Sequence, residues 1–145
     1  MTNELATTNV TANIIPEGAF NTVDMSTFEG AMKVTNAINN SQSLSEYVES
    51  FEENPILNVV DIVVTPGIRK ARERNQEDMP CEDTRLILAD GISLMTQSSG
   101  IARSARFIAG LCGSELHKGI LIRVVEQKLR NGNTIKNLEI VGKAE

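Results

Sequence analysis

The most regular pattern in the chain lies in its second half, where short apolar runs alternate with turn signals. Ile56 to Val64 is a run of β-branched and aliphatic residues that stops at Thr65-Pro66-Gly67, which predicts a mostly buried strand. Residues 65–83 then read as a long polar loop. Arg85 to Ala89 and Ile92 to Thr96 flank Asp90-Gly91, a signal for a type I′ hairpin turn in which both central residues take positive φ. Ser98-Ser99-Gly100 opens a helical pattern, with Ile101, Ala105, Ile108 and Leu111 on one face and Gly113 placed to end it. Gly119 to Arg130 and Thr134 to Val141 are strand patterns around Asn131-Gly132, a second hairpin signal.

The first half is less regular. Residues 1–27 are rich in Thr and Asn and read as a flexible N-terminal arm. Phe28 to Ile38 fits either a strand or a short helix. The alternation of Met32 and Val34 with Lys33 and Thr35 favours the strand. Ser43 and Glu46 have the spacing of a capping box, which predicts a short helix over Leu44–Phe51, stopped by Glu53-Asn54-Pro55.

The well-marked elements run strand, strand, strand, helix, strand, strand. That order predicts a mainly β fold, an OB-fold-like five-stranded barrel with one helix between strands 3 and 4, spanning residues 28–145. Such a barrel binds ligands on the face of strands 2–3 and in the loops joining strands 1–2 and 4–5.

Composition narrows the function. The 145 residues suggest one domain plus an appendage. The longest apolar run carries Asn58 and Asp61 and falls far short of the roughly 20 residues of a membrane span. The start, Met1-Thr2-Asn3-Glu4-Leu5, has no basic or apolar leader pattern, so a cytoplasmic location is expected. Cys81 and Cys112 form no CxxC pair and His117 adds no ligand spacing, so neither a metal nor another cofactor is expected. No nucleophile elbow, phosphate loop or dinucleotide motif appears, His117 has no evident partner, and Asp61 and Asp90 read as strand-face and turn residues; an enzyme is not expected.

Charge is distributed unevenly. Residues 1–55 carry Lys33 alone against eight Asp and Glu, whereas residues 56–145 carry 13 Lys and Arg against 11 Asp and Glu. Within the second part, Arg69, Lys70, Arg72 and Arg74 fall in the loop between strands 1 and 2. Lys128, Arg130 and Lys136 surround the turn between strands 4 and 5, and Arg85 and Arg123 are expected to add charge on the barrel wall. Two cationic clusters in the two ligand loops suit a polyanion, since Lys and Arg neutralise phosphates and release counterions. Arg can also stack on the unpaired bases that only single strands expose. Aromatic residues make up 3% of the chain, so few can stack on bases; Tyr47 is the aromatic candidate, and Phe107 reads as core.

Several segments carry a likeness. Phe28-Glu-Gly-Ala-Met-Lys-Val-Thr-Asn-Ala, Ser43-Leu-Ser-Glu, Val59-Val-Asp-Ile-Val-Val-Thr-Pro-Gly, the Asp90-Gly91 hairpin with Thr96-Gln-Ser-Ser-Gly, and Lys128-Leu-Arg-Asn-Gly-Asn-Thr-Ile-Lys resemble the single-stranded DNA-binding proteins of small protein-primed Bacillus-type phages. The resemblance covers residues 28–141 loosely. It implies an OB-fold replication protein that coats and protects displaced single strands in the host cytoplasm. The acidic N-terminal region would be free to contact replication proteins. The alternative is an OB-type protein–protein interaction module that binds no nucleic acid, which net acidity and few aromatics favour.

Overall fold

A computed structural model describes residues 19–71 and 73–144. Their strands are β1 (Phe20–Asn21), β2 (Gln42–Ser43), β3 (Leu57–Arg69), β4 (Met79–Leu88), β5 (Ser93–Thr96), β6 (Ile120–Lys128) and β7 (Thr134–Lys143). The helices are α1 (Phe28–Asn39), α2 (Leu44–Glu49) and α3 (Ser99–Cys112), and α3 runs into a 3₁₀ turn over Gly113–Lys118. The strands form one sheet in the order β2-β5-β4-β3-β6-β7, with β1 beside β3. The fold is mainly β, and the sheet curls into an open half-barrel. The expected succession of strands around a single helix is present as β3-β4-β5-α3-β6-β7.

β3 organises the sheet. It pairs with β4 along one edge; along the other it meets β6 at residues 57–59 and β1 at residues 63–64. Val59 faces Leu88 and Asp61 faces Ile87, so Val60 is an extra residue, a β-bulge. The bulge shifts the alternation by one. Leu57 and Val59, then Ile62 and Val64, enter the main core with Leu86, Leu94, Ile101, Ala105 and Leu116. Val63 and Val60 turn to the opposite face, where Val23, Val34, Ala37 and Ile87 form a second core under α1.

Residues 28–39 are helical, which corrects the strand favoured from alternation. Thr27 caps the helix, its Oγ1 accepting from the Gly30 amide, and Gly30, Val34 and Ala37 recur at helical spacing on the buried side. Met32, half of the apparent alternation, is exposed. α2 forms where the capping box predicts, with Ser43 Oγ accepting from the Glu46 amide at 3.3 Å. β3 also runs through Thr65-Pro66-Gly67, so the expected 65–83 loop shrinks to residues 70–78. Proline is tolerated because Pro66 lies in step with Ile62, whose carbonyl faces β1. Its nitrogen therefore points away from β4, past the last residue β1 pairs with.

Both hairpins exist, but neither is type I′. Among the described residues only glycines have positive φ. In each turn the glycine amide bonds three residues back, Gly91 to Leu88 and Gly132 to Leu129. Asp90 and Asn131 instead accept from the amide two residues on, at 3.0 Å in both cases. Two predicted core residues are also corrected: Phe107 is 65% and Leu111 78% exposed. The buried stripe of α3 is Ile101, Ala102, Ala105, Ile108 and Ala109. At 3.6 residues per turn, Phe107 and Leu111 lie roughly 160° and 120° from its centre.

Asp61, set on the outer face by the bulge, is a buried hub. Its carboxylate accepts from Thr22 Oγ1 at 2.8 Å, from Lys33 Nζ at 2.6 Å and from His117 Nδ1 at 3.0 Å. It thereby ties the segment after β1, α1 and the 3₁₀ turn to β3. His117, which had no evident partner in sequence, finds one 56 positions away. Lys33 and His117 are half-exposed, so they rehydrate when the carboxylate is removed. Asp61→Ala is therefore expected to lower the unfolding free energy by about 1–3 kcal/mol, less than for a fully buried pair. Urea unfolding checks this, and Asp61→Asn should recover part of the loss because it keeps an acceptor for Thr22.

Candidate nucleic-acid interface

The first candidate loop leaves the open end of the β3–β4 ribbon. Asp78 folds it back: its carboxylate accepts from the Ala71 amide at 2.8 Å and lies 3.4 Å from Lys70 Nζ. Arg69 donates to the Gln97 carbonyl at 2.6 Å, and the Gln97 amide donates to Asp83 at 3.0 Å and to the Ile68 carbonyl at 3.3 Å. These bonds join the base of the loop to the segment that leads into α3. Between them lies an open cavity of about 770 Å³, bounded by Arg69, Lys70, Gln76, Met79, Gln97 and Ser98. Ile68 and Met79, 59% and 60% exposed, give it an apolar shelf. Arg74 is exposed on the loop and makes no ion pair with the other described residues. Arg72 lies outside the described residues.

The second candidate loop is the β6–β7 hairpin. Lys128 and Arg130 are exposed at its tip, without ion pairs among the described residues. Lys136, across the ladder from Glu126, is half-buried with Nζ 3.5 Å from Ser45 Oγ.

The N-terminus of α3 touches both the base of the first loop and the start of β7. Ser98 caps the helix and lines the cavity beside Arg69. Two residues on, Gly100 is buried against the carbonyl of Lys136, where a Cβ would collide with that oxygen. Ser98 and Gly100 are at most about 7 Å apart along the chain. The base of the 70–78 loop and the start of β7 therefore flank one turn of helix.

The wall residues behave differently from expectation. Arg85, expected to add charge on the barrel wall, is 7% exposed, donates to Thr65 Oγ1 at 2.8 Å and lies 3.9 Å from Asp83, so its charge is held inside the sheet. Burial pulls its pKa down and the Asp83 carboxylate acts against that shift. Arg123 is paired across the strands with Glu139 at 2.7 Å. Tyr47 packs on the core and meets Phe51 edge-on at 5.2 Å, alongside Leu88 and Asp90 and away from the 70–78 cavity. The features that sequence reasoning missed are the shelf of Ile68 and Met79 and the polar pair Gln97-Ser98. Gln97-Ser98 had a signal in its position just after the strand predicted to end at Thr96, whereas Ile68 and Met79 fell inside the expected 65–83 loop and had none.

Among the described residues no cluster of three or more metal-ligating side chains gathers, and no helix is long and apolar enough to cross a membrane. No family model, curated protein or solved structure matches this chain.

Cys81 reports on the site, because it sits opposite Gly67 in the β3–β4 ladder. Burial raises its thiol pKa, Asp83 adds to the rise, and Arg69 opposes it. Iodoacetamide should therefore modify Cys81 more slowly than a free cysteine at pH 8, with its rate rising at higher pH than that of the free thiol. Arg69→Gln should slow the reaction further, as followed by peptide mass spectrometry.

Proposed function

We propose that the protein is an OB-type single-stranded DNA-binding protein that coats and protects strands displaced during DNA replication. The observation that carries this proposal is that the base of the 70–78 loop and the start of β7 both reach the first turn of α3, beside an open cavity with an apolar shelf. The strand order supports the OB assignment. The first barrel strand, β3, is central, with the second and third to one side and the fourth and fifth to the other. The proposal includes kinship with the single-stranded DNA-binding proteins of small protein-primed phages that the sequence resembles. The proposed role is non-enzymatic and its setting is the cytoplasm, that of the host for a phage-encoded chain.

The chemistry is mainly electrostatic. Arg69, Lys70, Arg74, Lys128 and Arg130 contact phosphates, and Arg72 joins them by its place in the loop. Lys70 and Arg69 exchange their internal partners for phosphate oxygens. The exposed Lys70–Asp78 pair contributes about 0–1 kcal/mol, so that exchange costs little, whereas Arg69 gives up a charged hydrogen bond to the Gln97 carbonyl that the phosphate must match. Aromatic stacking contributes roughly 1–3 kcal/mol per base where it exists. Here Ile68 and Met79 take that place with weaker contacts, so affinity per nucleotide rests on charge.

A second reading, a protein-interaction module, is favoured by the internal pairing of Arg85 and Arg123. Fluorescence anisotropy of a labelled oligothymidine over a salt series separates the two. The expected result is binding that prefers single strands to duplex and weakens steeply with salt. Arg74→Gln with Arg130→Gln should reduce the salt slope by about 0.7 per lost phosphate contact. Absence of binding at high protein excess and low salt would exclude the DNA reading.

A further inference from the structure

A second groove lies between α2 with its following turn and the β6–β7 ladder. Its volume is about 550 Å³. Val48 and Val124 form its floor over the buried Leu44 and Ile101, and Phe51, 46% exposed, stands at its edge. The walls are cross-linked: Asn54 Nδ2 donates to the Val124 carbonyl at 2.7 Å, and Lys136 reaches Ser45. The trough is therefore formed before anything enters it.

The rim carries charge of one sign. Glu49, Glu52 and Glu53 stand on one wall and Glu126 on the other. All four are exposed, and none makes an ion pair among the described residues. Asp78, Glu82, Glu115 and Glu139 have cationic partners, whereas Glu29, Glu46, Glu73, Glu77 and Asp90 have none among the described residues, so what distinguishes the four is the apolar floor between them. Among the described residues that line the groove, Lys136 is the one cation. Exposed apolar surface framed by like charges is costly to leave beside water, and it complements a segment of opposite sign with apolar anchors.

We propose that this groove docks a basic amphipathic segment of a partner protein. Apolar side chains at helical spacing enter between Val48 and Val124, and flanking Lys or Arg meet the four glutamates. Three of those glutamates belong to the acidic first third of the chain, so this docking gives that excess charge a place and a ligand class. It does not depend on DNA binding.

The probe is a labelled 14-residue peptide of Leu and Lys arranged with one apolar helical face, beside a scrambled peptide of the same composition. The patterned peptide should bind the full chain and shift the amide resonances of residues 44–54 and 124–126. Glu49→Lys with Glu52→Lys should weaken binding at least about tenfold, and so should Phe51→Ser, which leaves the charge intact. Three results would overturn the proposal. One is equal binding of the scrambled peptide, which means charge attraction alone. Another is shifts that fall outside the groove. The third is concentration-dependent self-association abolished by Glu49→Lys/Glu52→Lys, which would make the occupant a second copy of this chain. A salt-dependent interaction with oligothymidine that survives these variants would leave the DNA reading standing whichever result is found.

Discussion

The fold depends on one strand that is buried on both faces and paired on both edges, and a bulge in β3 decides which residue goes to which face. A regular strand sends every second side chain to the same face. With Val60 bulged, the residues on either side change parity. The inner core then receives Val59 and Ile62, and the outer core receives Val63. The bulge also sharpens the bend of the strand. That bend lets one edge of β3 serve β6 first and β1 afterwards. Asp61, the residue next to the bulge, is left inside with a carboxylate that needs partners. Thr22, Lys33 and His117 supply them, and so three distant segments are fixed to the sheet by a need created at one position.

The same discipline decides which cations can leave their partners. Arg85 is nearly enclosed, and withdrawing it would strip Thr65 and Asp83 of a donor in a site with little water. A buried polar group left unmatched costs about 1–3 kcal/mol. Lys70 is 82% exposed in its pair with Asp78, so water or a phosphate replaces that contact nearly without loss. Arg123 and Glu139 lie between these limits. A count of basic residues near the loops therefore overstates the charge on offer, while exposure and pairing identify Arg74, Lys128 and Arg130 as the positions where a polyanion meets least competition.

What the sequence reveals follows the range of the interaction concerned. Caps and turns are local: Ser43 and Glu46 announce α2, and Asp90-Gly91 and Asn131-Gly132 announce their hairpins, because each is settled within four residues. The turn type was misread because Asp and Asn suit two solutions. They tolerate positive φ, and they also accept from the backbone two residues on. Between the strand and the helix that residues 28–38 both allow, alternation favours the strand because Met32 and Val34 mimic it, while the decisive fact, that Val34 and Ala37 fit over Val63 and Ile87, is tertiary. Phe107 is apolar by type and outward by geometry; the alanines of α3 bring the other side of the helix close to the sheet. For the candidate site, the loops that hold its cations were readable from element order. Whether Arg69 meets solvent or the Gln97 carbonyl was not, since that bond spans 28 positions.

Opposite charges on one half-barrel act on each other only at short range, because solvent and salt screen them. The Debye length at physiological ionic strength is about 8 Å. Inside that distance, Glu126 on the groove wall stands two residues before Lys128 on β6 and offsets part of the charge at the hairpin tip. At the first turn of α3 the two surfaces also share a boundary: Lys136 stands on the wall of the acidic groove, and its own carbonyl packs against Gly100, two residues from the cavity beside Arg69. A cation brought to the groove therefore raises the potential most where the basic end begins, and a phosphate held there raises affinity for that cation by the same factor. The coupling weakens with salt, as screening requires, whereas an effect transmitted through packing of α3 would persist. The sign and the salt dependence together distinguish a field between neighbouring surfaces from a conformational link.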